Sequence, residues 1–445
     1  MEIKEIKRLI LDEVRNKGLK EFEIYINATG SLSIESKEGK VDSFEVSRQA
    51  GASLRVFDKG RQGFSFCTDF GNGGIKRMVD DAALSCQHTT LDEFRVLPDM
   101  GGPIPSVSVY DEEMKDVREE EKIERAKALE RAALSFDMRM KRVRKAAYSE
   151  AEYKVYILNS KGIDVSHKGT YCSASISALA EEGAESEMGS DFDFSRSYKG
   201  LDVEKVGRRA AENGVQLLGG RRIKTVRCPV VLENSVAADF LGVLASSFIA
   251  DSVQKGKSLL AGKIGTPVGS EILNVFDDGL YPGGLGTAPV DGEGLPRQRT
   301  PLIQGGILRG YLYDAYTAAK DKVKSTGNAV RGGIKAPPVC GLTNLYVEKG
   351  DFSRDALFNR AGTGLFVTEV MGMHTANPVS GDFSVGAAGI WIENGKRAYP
   401  VKGVAIAGNI IDILKSVTAV GDDLRFFGKI GAPSLLISEL TVSGE

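Results

Sequence analysis

The sequence changes character near residue 222, and this change sets the strongest limit on the fold. Beyond that point, apolar segments of strand length alternate with loops rich in glycine. The chain holds 52 glycines in 445 residues, well above the usual share of ~7%, and they are concentrated after residue 255. Because glycine permits tight turns and close backbone approach, the pattern predicts a β-rich C-terminal domain over 222–445.

Two smaller units precede this domain. Apolar residues at helical spacing, followed by alternating segments, predict an N-terminal α+β domain over 1–97. Three prolines and two glycines in 98–110 mark a linker. A charged helix at about 111–135 and two segments joined by the turn at 159–162 predict a middle α+β domain over 111–220. The predicted fold class is therefore multidomain α+β.

Composition excludes several classes of protein. The net charge is −2, from 58 Lys and Arg against 60 Asp and Glu, so the excess of positive charge typical of nucleic-acid binders is missing. No apolar run reaches the ~18 residues that a membrane span needs. The five cysteines are scattered without a CxxC pair, which is typical of buried thiols in a reducing compartment. We expect a soluble, cytoplasmic protein that binds neither nucleic acid nor membrane.

Short motifs that would indicate phosphate binding or metal binding are incomplete in this sequence. Residues 256–258 (GKS) resemble the end of a phosphate-binding loop, but Asp251 occupies a position that requires glycine. No basic residue closely follows the glycine-rich segment 278–286, which favours a mobile surface loop. Asp291 and Glu293 could hold a hard cation, although a solvated turn is the preferred interpretation. The three histidines lie in separate regions with no second ligand nearby.

The segment 235–248 is predicted to form a helix with two different faces. Apolar residues recur at every fourth position in 235–248, which predicts a buried helix that Asn234 and Ser235 can cap. The other face carries Asp239, Gly242 and Ser246, whose small or polar side chains leave room for another group to approach. The alternative is a helix that only fills the core.

The C-terminal half also contains an ordered series of distinctive motifs. They are TEVMG at 368–372, NPVSGDFS at 377–384, GAAG at 386–389, WIENG at 391–395, YPV at 399–401 and AGN at 407–409. Together with KSTG at 324–327 and NSKG at 159–162, they resemble the TldD/PmbA family. The resemblance extends over nearly the whole chain, which makes it far more specific than any single motif above.

This resemblance implies a cytoplasmic protease made of two homologous subunits, in which the TldD type carries an HExxxH zinc motif and a C-terminal cysteine ligand. Counted from the strand end at 230–232, the motif positions fall on Gly242, Val243 and Ser247. These residues supply neither zinc ligands nor a base, and 425–433 contains no cysteine. The chain therefore looks like a PmbA (TldE)-type subunit with no cofactor of its own, and zinc is expected in a TldD-type partner.

The resemblance further implies that the pair of subunits processes or degrades unfolded and precursor peptides, and that the isolated chain can form a homodimer. Loop residues rich in polar groups and glycine are the candidates for contact with peptide or partner. They are Asn377, Gly381, Asp382, Thr326 and Gly327.

Two other functions stay open. One is a regulatory binding protein that acts on DNA gyrase and has no role in proteolysis. The other is an independent metal hydrolase that uses His374, Asp382 and Glu369, although these residues show no recognised ligand spacing.

Overall fold

The computed structural model describes residues 3–71 and 73–444. Within these residues, the helices are α1 (Ile3–Asn16), α2 (Gly74–His88), α3 (Glu119–Leu134), α4 (Val203–Val215), α5 (Asn234–Leu244), α6 (Ala250–Gln254), α7 (Ala315–Asp321), α8 (Arg354–Ala361) and α9 (Ile410–Lys415). The first ten strands are β1 (Glu21–Lys37), β2 (Lys40–Asp58), β3 (Arg61–Cys67), β4 (Met140–Asn159), β5 (Asp164–Glu182), β6 (Glu185–Ser195), β7 (Val226–Leu232), β8 (Val275–Asp278), β9 (Arg299–Gln304) and β10 (Ile307–Leu308). The others are β11 (Ala329–Val330), β12 (Val339–Cys340), β13 (Leu345–Val347), β14 (Gly364–Met371), β15 (Asp382–Glu393), β16 (Lys396–Asn409), β17 (Val417–Val420), β18 (Arg425–Phe427), β19 (Ile430–Ala432) and β20 (Leu435–Ser443). The multidomain α+β prediction is confirmed.

The first six strands form one antiparallel sheet in the order β3-β2-β1-β4-β5-β6. The two predicted N-terminal domains share this sheet, because β1 pairs with β4 along fourteen positions, from Glu23↔Asn159 to Ser36↔Ala146. One face is covered by α1 and α2 at one end and by α3 and α4 at the other. The predicted turn at 159–162 joins β4 to β5.

The charged helix predicted at 111–135 is shorter than expected. A single 3-10 turn occupies Met114–Asp116, and α3 begins only at Glu119. Three glutamates lie in its first turn, where negative charge interacts favourably with the helix dipole, and Arg118 before them is extended.

The C-terminal domain contains two six-stranded sheets. In one, the order is β16-β15-β14-β7-β20-β17, and β16 also pairs with β20, so that five strands close into a ring. In the other, the order is β10-β9-β8-β13-β19-β18. Helix α5 lies between them, in contact with β14, β18 and β19, and its apolar face belongs to the largest core.

A buried network of charges joins the N-terminal sheet to the C-terminal domain. Arg55 of β2 donates from Nε to Glu23 of β1 at 2.9 Å and from Nη2 to Glu293 at 3.0 Å. Arg331 donates to the same Glu23. Burial alone would raise the pKa of Glu23, but Arg331 and Arg55 lower it below its ordinary value.

The expectation of a solvated turn at Asp291 and Glu293 is therefore wrong. Asp291 is 1% exposed, and its carboxylate accepts hydrogen bonds from the backbone N–H groups of Glu293, Leu295 and Ala329. Glu293 is 2% exposed, and burial raises its pKa despite the neighbouring Arg55. Neither carboxylate is free to hold a cation from solvent.

The glycine-rich segment 278–286 is also not the surface loop that we expected. Gly284 and Gly286 are buried, and the guanidinium of Arg196 donates to the backbone oxygens of Gly284, Leu285 and Thr287 at 2.7–3.1 Å. This arginine connects the end of β6 to the C-terminal domain.

The cysteines and the length of the apolar helices were both considered in the sequence. All five cysteines are buried and unpaired, as predicted. Within residues 3–71 and 73–444, no helix is long and apolar enough to cross a membrane.

Candidate functional site

The candidate site is a cavity of about 670 Å³ between the β5–β6 end of the N-terminal sheet, together with α4, and the C-terminal domain. One wall comes from β5, β6 and α4, and the other comes from the β7–α5 junction, β14 and β18. Its polar lining includes Ser175, Ser177, Asp191, Asp239, Thr368 and Glu369. Four basic side chains also line it: Lys145, Arg209, Arg354 and Arg425.

The start of α5 is held by polar contacts that differ from the predicted cap. Glu233 occupies the N-cap position without a side-chain cap, and Asn234 donates from Nδ2 to the carbonyl of Asp423 at 3.1 Å. Arg354 lies 3.4 Å from Glu233 and 3.3 Å from Asp423. Burial raises the pKa of Glu233, an effect that Arg354 offsets only in part. These contacts fix the direction in which α5 leaves β7.

The three positions that correspond to the zinc motif have no group that suits zinc. A Cβ atom on Gly242 would lie 3.3 Å from the Cδ1 atom of Ile430, and Val243 packs against the core. Ser247 is fully buried and donates from Oγ to the carbonyl of Pro378 at 3.5 Å. Among the described residues, no group of three or more His, Cys, Asp or Glu side chains is arranged to hold a metal ion.

Two carboxylates of the cavity have no cation beside them. Asp239 on α5 and Glu369 on β14 are exposed, and neither has an ion pair or a hydrogen bond with any residue that the structure describes. Desolvation by the surroundings raises the pKa of Asp239. Desolvation, followed by repulsion from Glu187, raises the pKa of Glu369. A positive group in the cavity would relieve both effects.

The same cavity contains buried polar atoms without partners. Arg425 donates from Nη2 to Asp191 at 2.7 Å and to the carbonyl of Phe192 at 2.6 Å, but its buried Nε has no partner among the described residues. The buried Oγ1 of Thr368 also has none. Since buried polar groups nearly always have a hydrogen-bond partner, both atoms are available to a molecule in the cavity.

An unpaired strand edge runs along this wall. β14 pairs with β15 as far as Met371, but it pairs with β7 only from Leu365 to Val367. Near the point where β7 ends and α5 begins, the pairing register between β14 and β15 shifts between Val367 and Glu369, as in a β-bulge. The backbone of 368–371 therefore has no strand on the α5 side among the described residues, and an extended peptide could pair there.

The loop predicted to contact peptide or partner forms a compact turn. Oδ1 of Asn377 accepts from the backbone N–H of Val379 at 2.8 Å, and Asp382 accepts from Ser380 Oγ at 2.8 Å. Asn409 also donates to Asp382 at 2.9 Å, and these two bonds, the Asn409 bond first, lower the pKa of Asp382. Gly381 has φ +82°, and a Cβ atom there would lie 2.9 Å from Leu259. The side chains of Asn377 and Asp382 therefore stabilise the turn itself.

Thr326 and Gly327 lie in a different turn. Thr326 Oγ1 accepts from the backbone N–H of Tyr313 at 2.8 Å and bonds Asn328 at 2.7 Å. Gly327 is buried with φ +73°, and a Cβ atom there would lie 2.5 Å from the carbonyl of Pro296. None of the five contact candidates lines the cavity, so their contact with peptide or partner stays a prediction.

The independent hydrolase reading is not supported. Glu369 lines the cavity, Asp382 is hydrogen-bonded within its turn, and His374 lies on a separate 3-10 turn. The three side chains do not form a metal-binding group among the described residues.

Family models of known proteins match three successive parts of the chain. Three domain models of PmbA/TldA metallopeptidases match in order: domain 1 over 22–86, the central domain over 112–218 and the C-terminal domain over 225–444. The chain belongs to the PmbA/TldA metallopeptidase family. The resemblance seen in the sequence motifs is thereby confirmed.

Relatives within the PmbA/TldA family cover nearly the whole chain. Metalloprotease PmbA of Escherichia coli O157:H7 is 29% identical, over 99% of this chain and 98% of its own length. A metalloprotease TldD homolog of Buchnera aphidicola is 28% identical over 61% of each chain. Both kinds of family member are therefore related to this chain.

Solved structures of the family share its fold. A Thermotoga maritima protein suggested to modulate a DNA gyrase has a TM-score of 0.91 and 28% identity, with 99% of this chain and 100% of that one covered. TldE of Thermococcus kodakarensis has a TM-score of 0.90 over 99% and 100% of the two chains. At 23% identity, the second likeness establishes the fold alone.

The family sequence pattern pointed to one wall of the cavity and missed the other. Asp239 stood out on the polar face of α5, and Thr368 and Glu369 lie inside a recognised motif. The opposite wall, which includes Ser175 and Asp191, carried no signal, because it depends on how the N-terminal sheet docks onto the C-terminal domain.

Proposed function

We propose that this chain is the non-catalytic, peptide-binding subunit of a two-subunit metallopeptidase whose zinc is held by a TldD-type partner. The observation that carries the proposal is the occupation of the zinc-motif positions by Gly242, Val243 and Ser247 in a chain that otherwise has the complete family fold. Action on DNA gyrase is suggested for the Thermotoga maritima protein and stays an alternative for this chain.

The open edge of β14 supports a role in peptide binding. Strand addition uses backbone hydrogen bonds, so it selects a peptide in an extended conformation and depends little on the sequence of that peptide. The added strand must enter the cavity, which an unfolded segment can do directly and a folded protein only after local unfolding. The edge at 368–371 lies in a cavity large enough for an extended segment, and Thr368 Oγ1 adds a buried polar atom without a partner. Unfolded or precursor peptides are the substrate class that fits this arrangement.

The two cavity carboxylates without a cation partner, Asp239 and Glu369, predict a preference for peptides that carry a positive charge. Asp239→Asn combined with Glu369→Gln should weaken binding of an unstructured, lysine-containing peptide about tenfold, since two ion pairs of ~0.7 kcal/mol each are lost. Fluorescence anisotropy with a labelled peptide measures this at constant ionic strength. Glu439→Gln, which removes an exposed charge outside the cavity, is the matched control.

A peptide with glutamine in place of lysine separates charge recognition from strand addition. It should bind the parent and the double variant with nearly equal affinity. If the double variant binds the lysine peptide as tightly as the parent does, the two carboxylates do not recognise positive charge. If neither peptide binds the isolated chain or its complex with the partner, the peptide-binding function itself is wrong.

A second prediction concerns zinc content, because the positions of the family zinc motif carry other residues in this chain. The purified chain should contain no stoichiometric zinc after dialysis against metal-free buffer, because Gly242, Val243 and Ser247 supply no nitrogen, thiolate or carboxylate ligand. Inductively coupled plasma mass spectrometry measures the zinc content per chain. One tightly bound zinc ion per chain would contradict the assignment as a subunit without catalytic residues.

A further inference from the structure

The sheet that contains β14 is covered by a different helix on each face. On one face, Leu365 and Val367 of β14 belong to the same apolar core as α5. On the other face, Phe366 packs against Phe358 of α8, with ring centroids 5.0 Å apart. We call these the α5 face and the α8 face. Side chains of successive residues in a regular strand alternate between the two faces.

The bulge in β14 places Glu369 on the α8 face. Val367, on the α5 face, lies opposite Gly389 of β15, and Glu369 lies opposite the adjacent Ala388. Because adjacent residues of β15 point to opposite faces, Glu369 and Val367 also point to opposite faces. In a regular strand, two residues separated by one other residue would share a face. Thr368 is the extra residue that changes this alternation.

The next residue of β14 returns to the α5 face, where Asp239 lies. Val370 is opposite Ala387, which belongs to the core that includes α5, and Val370 packs against that core. Asp239 is an exposed residue of α5 itself. Asp239 and Glu369 therefore lie on opposite faces of the sheet, and both line the cavity.

The electrostatic surroundings of the two carboxylates also differ. Desolvation and then repulsion from Glu187 of β6 raise the pKa of Glu369. The pKa of Asp239 is raised by desolvation alone. Neither carboxylate contributes to the pKa shift of the other, as expected for groups on opposite sides of a sheet. Two cations, one for each carboxylate, are therefore needed to relieve both shifts.

An extended peptide on the edge of β14 would pass between these two carboxylates. Its residue opposite Glu369 points to the α8 face, and the next residue, opposite Val370, points to the α5 face. These two positions are adjacent in the peptide whether it runs parallel or antiparallel to β14. Two basic residues separated by one other residue would both point to the same face, so only one of them could reach a carboxylate.

We propose that the cavity recognises two adjacent basic residues of an extended peptide, one at Glu369 on the α8 face and the other at Asp239 on the α5 face. This inference rests on the proposed peptide-binding function, because it assumes that the peptide pairs with β14. It adds a rule of spacing, which a cavity that attracts positive charge in general would not impose.

Peptides of equal composition and different order test the spacing. One labelled, unstructured peptide carries the pair Lys-Lys in a background of serine and glycine. The other carries Lys-Ser-Lys and has the same length and net charge. The adjacent pair should bind the chain about threefold more tightly, since it forms one more ion pair. Fluorescence anisotropy at constant ionic strength measures both dissociation constants.

Single substitutions connect the preference to the two carboxylates. Asp239→Asn or Glu369→Gln alone leaves one carboxylate, so each variant should bind the two peptides with equal affinity. Glu439→Gln, which removes an exposed charge outside the cavity, should keep the threefold preference. Circular dichroism of all three variants should match that of the parent, because the substituted side chains are exposed.

Charge reversal on one face gives an independent measurement. In the Asp239→Lys variant, an adjacent pair of one lysine and one glutamate should bind about threefold more tightly than Lys-Lys. The reason is that the peptide lysine still meets Glu369, while the peptide glutamate meets the introduced amine. The comparison uses the better-bound of Lys-Glu and Glu-Lys, because the direction of the peptide decides which order fits. Tighter binding of Lys-Lys to this variant would contradict the inference.

The outcomes separate this inference from the proposed function. Equal affinity of the parent for Lys-Lys and Lys-Ser-Lys would overturn the spacing rule and leave peptide binding intact. Tighter binding of Lys-Ser-Lys would place both carboxylates on one face. A preference for Lys-Lys that persists in both the Asp239→Asn and the Glu369→Gln variants would assign it to other groups. If no peptide binds, the peptide-binding function fails, and this inference fails with it.

Discussion

Arg55→Ala is expected to lower the free energy of unfolding by about 3–5 kcal/mol, the usual cost of removing one partner from a buried ion pair. The Arg55 side chain is 5% exposed and bridges Glu23, which is fully buried, and Glu293, which is 2% exposed. Glu23 would keep Arg331. Among the residues that the structure describes, Glu293 would retain only the backbone N–H of Ala315 as a hydrogen-bond donor, close to the acidic Asp291 and Asp314.

Urea unfolding followed by circular dichroism measures this loss at neutral pH. The matched control is Arg208→Ala, which removes an exposed i,i+4 pair with Glu204 on α4 and should cost less than about 0.5 kcal/mol. Hydrogen exchange should also increase at β2 and around 291–293, where the network joins the two parts of the chain. A loss below about 1 kcal/mol for R55A would contradict the assignment of this network as a stabilising contact between them.

The N-terminal sheet illustrates what local sequence patterns predict well. The sequence Asp-Lys-Gly-Arg at 58–61 is typical of a tight turn between strands, and β2 and β3 meet there with Lys59 at φ 47° and Gly60 at φ 76°. Both angles suit the tight turns that connect twisted strands. Strands joined by such turns are local features, so neighbouring residues in the sequence are sufficient to predict them.

Contacts between distant segments could not be predicted in this way. Asp291 and Glu293 look like a solvated acidic turn in the sequence, but docking of β1 and β2 buries both carboxylates and supplies Arg55. The segment 278–286 looks like a surface loop, but Arg196, the residue after β6, donates hydrogen bonds to its carbonyl groups. In both cases, the deciding partner lies more than eighty residues away along the chain.

The candidate site was likewise predictable only in part from the sequence. The resemblance located Gly242 and Val243 on α5 and Ser247 on the 3-10 turn that follows it, and it contained Thr368 and Glu369 within a motif. It did not indicate that Ser247 would be buried beneath the loop at Pro378, or that β14 would have a free edge where β7 ends. Those facts depend on the closure of the C-terminal sheet.

The largest expected difference in activity is between this chain alone and the chain mixed with the proposed TldD-type partner. Peptide hydrolysis by a zinc enzyme needs metal ligands and a general base, and loss of a general base alone costs about 10²–10⁴-fold. Gly242, Val243 and Ser247 supply neither, so the isolated chain should cleave nothing. A TldD-type subunit would contribute the zinc, and this chain would contribute the cavity and the strand edge that hold the peptide.

Cleavage of an unstructured, lysine-containing peptide by separate and mixed subunits is the most direct test of the central claim. The prediction is that neither this chain nor the TldD-type subunit cleaves alone, that an equimolar mixture does, and that Asp239→Asn with Glu369→Gln lowers the rate of the mixture at low peptide concentration. Cleavage by the TldD-type subunit at the same rate with and without this chain would contradict the claim, as would cleavage by this chain alone.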